Sequence, residues 1–335
     1  MEPVRWGVLS VSGHYALRIH APLSHLPEAA IVAIASRDEA RAKAAAARYG
    51  ITRSYASYEA LLADPKVEAV YMPLPNHLHA EWAMRALDAG KHVLCEKPIA
   101  LDATQAADMA KRAKERGLML MEAFMYRFHP QWVRVKEILA TGEIGRLQAI
   151  HETFTYDNRD PANIRNQKEK GGGAVYDIGC YTVSVARWVA GLEPERVISL
   201  VGRDKAFGTD VLSSGILDFG AAGQGLRACF TVATQAFPIQ RVDIVGDGGI
   251  ISVPRSFNAY NDVPQAIEVT TSLGTRRVET GSVDQYGAMF AAVSKAIRVG
   301  GPAPTPIEDG IANMAAMDAL FRSERSGGWE AVKRP

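Results

Sequence analysis

The chain has 335 residues, 47% apolar and 22% charged, the balance of a soluble globular protein with room for two domains. Its net charge of +1 gives no footprint for nucleic acid or an anionic membrane, and no run approaches the roughly 20 apolar residues of a membrane helix. Three scattered cysteines, Cys95, Cys180 and Cys229, form no C-x-x-C pair; with no signal peptide before the first apolar run, they fit a cytoplasmic protein without a disulfide framework or structural zinc.

Residues 4–9 read as a short apolar strand, followed by a helix over 16–26. Residues 30–35 are apolar throughout, as in a parallel strand covered on both faces. Residues 38–49, rich in alanine and arginine, predict a strong helix and 57–62 a short one. Then come a strand at 67–72, a helix at 78–89 stopped by Gly90, a strand at 92–95, a helix at 102–116 and a strand at 118–121. This alternation predicts a parallel sheet with right-handed crossovers.

Past Phe124 the rhythm changes. Residues 131–140 are helical, 147–156 alternate as an antiparallel strand does, and 175–189 are helical. Strand-like runs follow at 196–201, 211–219, 226–234, 241–245, 250–253 and 266–271, before helices at 285–298 and 308–325. The expected fold class is α/β, with a second α/β domain built on a large open, mainly antiparallel sheet. Such a sheet has a wide face that a second subunit can cover.

The first strand-to-helix turn contains Ser10, Ser12, Gly13, His14 and Tyr15. A dinucleotide fold needs small residues there, so that backbone approaches a pyrophosphate at the helix N-terminus; the usual G-x-G-x-x-G is absent. The second strand ends at Ser36 and Arg37, with Arg41 one helical turn on. An NAD site places an acid at this strand end to bind the ribose, whereas arginine there suits a 2′-phosphate. NADP is the expected cofactor, with NAD the alternative if Asp38 serves as the ribose acid. Leu74, Pro75, Asn76 and His79 follow the third strand and form a rigid rim where nicotinamide is expected. His77 and His79 stand two apart and have no third ligand nearby, so no metal site is expected.

Glu96-Lys97-Pro98 follows the strand at 92–95, on the rim where open α/β sheets bind ligands. Most Glu-Lys pairs are surface charges. Here the lysine has a counterpart in residues 171–181, where Asp177 and Tyr181 stand four apart on one helix face. Opposite Lys97, an ammonium would favour the phenolate of Tyr181 and lower its pKa from about 10, making a general base for an alcohol. Tyr126, His129, Asn163, Arg165 and Asp177 are candidates for binding hydroxyls.

Together these stretches resemble the Gfo/Idh/MocA family, that of glucose–fructose oxidoreductase and inositol dehydrogenase. The resemblance rests on residues 7–9, 35–38, 70–79, 90–98, 122–130 and 171–181 and spans the chain. Tyrosine at 181, where many members have histidine, is similar to the branch of dimeric dihydrodiol dehydrogenase and NADP-dependent xylose dehydrogenase. The resemblance implies a Rossmann domain over 1–124 and a substrate-binding and oligomerisation domain over 125–335. It implies homodimers or homotetramers through the second sheet. It also implies Lys97 and Tyr181 as the catalytic pair, Asp177 beside the sugar or polyol, and Glu96 and Lys97 at the cofactor. Members usually have a fuller glycine turn than residues 10–13; Gly13 is the position that carries over. The expected activity is hydride transfer between NADP and a sugar, ketosugar or diol. The alternatives are a non-catalytic NAD(P)-binding sensor or regulator, and a sugar–sugar oxidoreductase with tightly bound cofactor.

Overall fold

A computed structural model describes residues 2–335. The described residues form two compact units, one of 2–125 with Tyr286–Ile311 and one of Tyr126–Gln285 with Ala312–Pro335.

In the first unit, β1 (Val4–Leu9) leads through a π-helical turn (Tyr15–Ile19) into α1 (His20–Leu23). There follow β2 (Ala29–Ala35), α2 (Glu39–Tyr49), β3 (Arg53–Tyr55), α3 (Tyr58–Leu62), β4 (Ala69–Met72), α4 (His79–Asp88), β5 (His92–Cys95), α5 (Ala103–Arg116) and β6 (Leu120–Glu122). The six strands are parallel in the order β3-β2-β1-β4-β5-β6. The order reverses between β1 and β4, so the turns after these strands flank the switch point where such sheets take ligands. Asp38, Ser57 and Asp102 each accept a backbone N–H at the start of α2, α3 and α5, which fixes where those helices begin. The expected helix over 16–26 is shorter and opens with a π turn. β3 is an edge strand absent from the sequence reading.

Residues 286–311 group with this unit for a packing reason. Phe290 of α8 (Gln285–Val299) meets Trp6 edge-on at 5.0 Å and Tyr71 at 5.3 Å, and Trp6 Nε1 donates to Ser294 Oγ at 3.0 Å. A helix that buries an apolar stripe on a sheet follows that sheet, whatever the chain order.

The second unit holds α6 (Pro130–Thr141), β7 (Leu147–Asp157), a π-helical turn (Val175–Gly179) running into α7 (Cys180–Ala190), β8 (Arg196–Arg203), β9 (Asp210–Asp218), β10 (Arg227–Ala233), β11 (Gln235–Gly246), β12 (Gly249–Val253), β13 (Gln265–Thr271), β14 (Gly274–Thr280), most of α9 (Ile307–Ser326) and β15 (Glu330–Ala331). Its nine-stranded sheet runs β14-β13-β12-β11-β7-β10-β9-β8-β15. All neighbours are antiparallel except β7 with β10 (Arg227–Ala233), so β7 is antiparallel only towards β11 (Gln235–Gly246). Alternate residues of β7, among them Ile150, Glu152 and Phe154, are buried on one face. The other face leaves Leu200, Leu212 and Ile250 exposed.

Glu152 sits in the buried row, paired in register with Phe230 and Val242, and neither carboxylate oxygen has a hydrogen-bond partner. Burial pushes its pKa well above the usual carboxylate range. Such a group is protonated in the folded state, so stability falls as pH rises from the unfolded pKa of about 4.3 towards the raised folded value. Glu152→Met is expected to stabilise the protein by about 1–3 kcal/mol at neutral pH. In urea titrations the gain should be larger at about pH 8 than at about pH 5. An equal gain at both would mean that the carboxyl is solvated or paired.

Candidate active site

The first unit supplies a strand rim. After β1, Ser10 adopts φ 121°, a conformation that glycine normally fills. Ser12 accepts from Tyr15 N through Oγ at 3.0 Å and from Ala16 N through its carbonyl at 3.2 Å. Gly13 is exposed, and a Cβ there would meet nothing within 4 Å. The turn therefore has a glycine-like shape with open space over its backbone, which is what a dinucleotide pyrophosphate requires. At the end of β2, the buried Ser36 accepts from Asp38 N at 3.2 Å. Asp38 is used as the cap of α2, accepting from Arg41 N at 3.0 Å. Arg37 and Arg41 are exposed, and the Arg41 guanidinium donates to Val11 O at 2.7 Å, tying this strand end to the first turn.

Lys97, half-buried just past β5, is fastened through its neighbours on both sides. Before it, Glu96 accepts the Tyr71 hydroxyl at 2.6 Å and lies 3.4 Å from His14 Nε2. Burial alone would raise the Glu96 carboxyl, but His14, the Tyr71 hydroxyl and Lys97 together hold it below its usual value. After Lys97, Pro98 O lies 2.7 Å from His79 Nδ1, and Ile99 N donates to Glu122 Oε1 at 2.8 Å. The other His79 nitrogen is 2.9 Å from Leu74 O, so one buried imidazole connects the rim after β4 to the lysine loop.

The second unit supplies a helix. Its start is set by Asp210, the first residue of β9 (Asp210–Asp218), whose carboxylate accepts from Val175 N at 2.6 Å. Gly173 has φ +124° and donates to Arg165 O at 2.9 Å; a Cβ on it would overlap the Asp210 carboxylate. One turn on, Asp177 Oδ2 takes two donors, the Tyr156 hydroxyl at 2.6 Å and Arg165 Nε at 2.8 Å. Asp177 raises the pKa of Arg165, with smaller contributions from Tyr156 and Tyr181. The Tyr181 ring packs against Phe257 at 5.2 Å, Phe154 at 5.7 Å and Tyr126 at 6.0 Å. Asn313 donates to Cys180 O at 3.1 Å and anchors the same turn.

Several residues expected to touch ligands have structural partners. Tyr15 is fully buried against His20 and Tyr49. His79 has both ring nitrogens on backbone carbonyls, and Leu74 is buried. Tyr126 is fully buried, with its hydroxyl 2.8 Å from Ser184 Oγ. His129 is also fully buried: it caps α6 by accepting from Gln131 N, and burial lowers its pKa to about 4. Asn163 accepts from Arg165 N at 3.1 Å within a short turn. Conversely, Tyr156, Asp210, Tyr71 and Glu122 hold the key residues and were not singled out from sequence. Tyr156 alone had a readable sign, since it shares the strand parity of Ile150 and Phe154.

Comparisons with known proteins agree with this architecture. Residues 4–124 match the oxidoreductase family with an NAD-binding Rossmann fold, and residues 132–252 match the Gfo/Idh/MocA C-terminal domain. The chain is 42% identical to the uncharacterized oxidoreductase ORF334 of Rhizobium meliloti, over 99% of this chain and all of that one. It is 37% identical to the D-xylose 1-dehydrogenase (NADP(+)) 2 of Haloferax volcanii, over 96% of this chain and 98% of that one. Among solved structures it resembles KijD10, a 3-ketoreductase from Actinomadura kijaniata in complex with NADP and TDP-benzene, with a TM-score of 0.91 and 32% identity over 96% of this chain and 98% of that one. A turn shaped for pyrophosphate, an anchored rim lysine and these matches lead to one assignment: the chain belongs to the Gfo/Idh/MocA family of NAD(P)-dependent oxidoreductases.

Proposed function

We propose that the protein is an NADP(H)-dependent dehydrogenase or reductase acting on a sugar, ketosugar or related diol, with Tyr181 as the proton-transfer residue and Lys97 as its partner. The observation that carries this reading is the fastening of Lys97 through Glu96, Pro98 and Ile99. A solvated surface lysine needs no such support, whereas a catalytic amine must be held to within a fraction of an ångström.

When bound, NADP accepts the hydride in oxidation and NADPH supplies it in reduction. The residues fitted to hold it are Ser10, Ser12, Gly13 and His14 at the pyrophosphate, Ser36, Arg37 and Arg41 at the 2′-phosphate, and Pro75, Asn76, Glu96 and Lys97 towards the nicotinamide end. Asp38 is occupied as a helix cap, and two exposed guanidinium groups stand where an acid would have favoured NAD. In oxidation, Tyr181 takes the hydroxyl proton of the substrate. Lys97 holds the same oxygen and favours the phenolate. Asp177 accepts a hydrogen bond from another hydroxyl. In reduction the proton travels back from Tyr181 to the new alkoxide. A second copy of the chain covering the face of Leu200, Leu212 and Ile250 belongs to this reading; it makes the protein a homodimer or homotetramer.

Gly13→Ala tests the cofactor assignment apart from turnover. With nothing near the added methyl, stability should change by less than about 0.5 kcal/mol. The methyl would occupy the approach of the pyrophosphate, so the NADP dissociation constant, read by fluorescence titration, should rise at least about tenfold. Unchanged affinity would move the phosphates away from this turn.

A further inference from the structure

We propose that Tyr156 is a positioning residue: by donating to Asp177 it fixes that carboxylate as an acceptor and makes the enzyme demand a second hydroxyl on the sugar besides the one that reacts. This deepens the reading above and rests on its placement of Asp177 beside the substrate.

Asp177 Oδ2 is shared by donors from two separate elements, the Tyr156 hydroxyl near the end of β7 and Arg165 Nε in the following loop. An arginine pair alone leaves a carboxylate free to swivel about the guanidinium edge. A second donor from a strand removes that freedom. β7 is paired on both flanks of Tyr156, at Thr155 with Ala233 and Ile239 and at Asp157 with Gln235, which fixes where the phenol leaves the strand. Burial and the adjacent carboxylate push the Tyr156 pKa up, so its hydroxyl stays protonated and acts only as a donor. A carboxylate paired with a guanidinium and a phenol hydroxyl offers its oxygens only as acceptors. It rewards a substrate hydroxyl and penalises a carbonyl, ether or methylene at the same position. Sites built to bond a hydroxyl reject analogues that lack it far more strongly than apolar pockets reject an extra methylene. The substrate class is then an intact polyol or sugar, with monodeoxy analogues disfavoured. Gly173 N donates to Arg165 O, so the helix start and the guanidinium are set together, and Tyr156 adds a constraint from β7.

The test compares Tyr156→Phe, Asp177→Asn and the double variant, with NADP and with D-glucose, D-xylose and their 2-deoxy analogues. Tyr156→Phe removes one hydroxyl and keeps the ring. KM for the intact sugar should rise about tenfold, with kcat and NADP affinity within about twofold of wild type. The preference for the intact over the 2-deoxy sugar should shrink by a similar factor. The double variant should be no worse than Asp177→Asn alone, because Tyr156 acts through Asp177. Unchanged KM in Tyr156→Phe, an effect that adds fully to that of Asp177→Asn, or loss of the folded state or of NADP binding would overturn the proposal. If Asp177→Asn itself leaves sugar kinetics intact, the placement of Asp177 fails. If that variant is impaired and Tyr156→Phe is not, only the present inference fails.

Discussion

Tyr181→Phe is expected to lower kcat by about 10²–10⁴-fold, the usual contribution of a positioned general acid or base. The ring packs among Phe154, Phe257 and Tyr126, and phenylalanine keeps those contacts, so the thermal midpoint and NADP affinity should stay close to wild type. Lys97→Met is the companion variant. Its loop is held by bonds from Glu96, Pro98 and Ile99 and not by the lysine side chain alone, so the fold should survive while turnover collapses. Effects of groups that act as a unit do not add, so the double variant should be little worse than either single one. Multiplicative losses would mean that the two residues serve separate steps. A Tyr181→Phe enzyme with wild-type kcat would remove the phenol from the chemistry.

Gly173→Ala should be among the most damaging small substitutions in the second unit. The residue holds φ +124°, which is strained for alanine, and its Cβ would overlap the Asp210 carboxylate that caps the helix of Asp177 and Tyr181. Backbone strain of this kind costs about 1–3 kcal/mol, and displacing the buried Asp210 adds to it. The loss in denaturant titration should therefore reach about 2–4 kcal/mol. Activity should fall further than stability accounts for, since a shift of about 1 Å at a reacting group can cost 10²-fold. A folded, fully active variant would show that the helix start is free to relax without moving Tyr181. Gly13→Ala, where space is open, is the contrasting case.

The strands that position the first half of the site were legible because they are covered on both faces. Val4–Leu9, Ala29–Ala35 and His92–Cys95 are nearly continuous apolar runs, and the capping residues Asp38, Ser57 and Asp102 marked helix starts to within one residue. The edge strands β3, β14 and β15 were not legible, whereas the edge strand β6 was, because it is buried throughout. Arg53–Tyr55 has no apolar alternation, and Gly274–Thr280 carries Arg276, Arg277 and Glu279. Edge strands bury less, so their sequences are less constrained, and charge there guards against pairing. The two π turns also escaped notice, because an i→i+5 bond has no compositional mark. One follows the turn after β1 and the other leads into the helix of Tyr181. The long-range partners were beyond any local pattern. Asp210 meets Val175 across 35 residues and Tyr156 meets Asp177 across 21, so only the folded sheet brings them together. The burial of His79 and His129 was not legible either, because sequence shows a side chain's chemistry but not its depth.

The central claim is most directly tested by measuring nicotinamide reduction by the purified enzyme with NADP or NAD against a panel of pyranoses, pentoses and trans-diols. The account predicts hydride transfer with at least one unmodified sugar or diol, and a higher kcat/KM with NADP than with NAD. Tight NADP binding with no hydride transfer to or from any member of the panel, in either direction, would contradict it and favour a sensor built on the same scaffold.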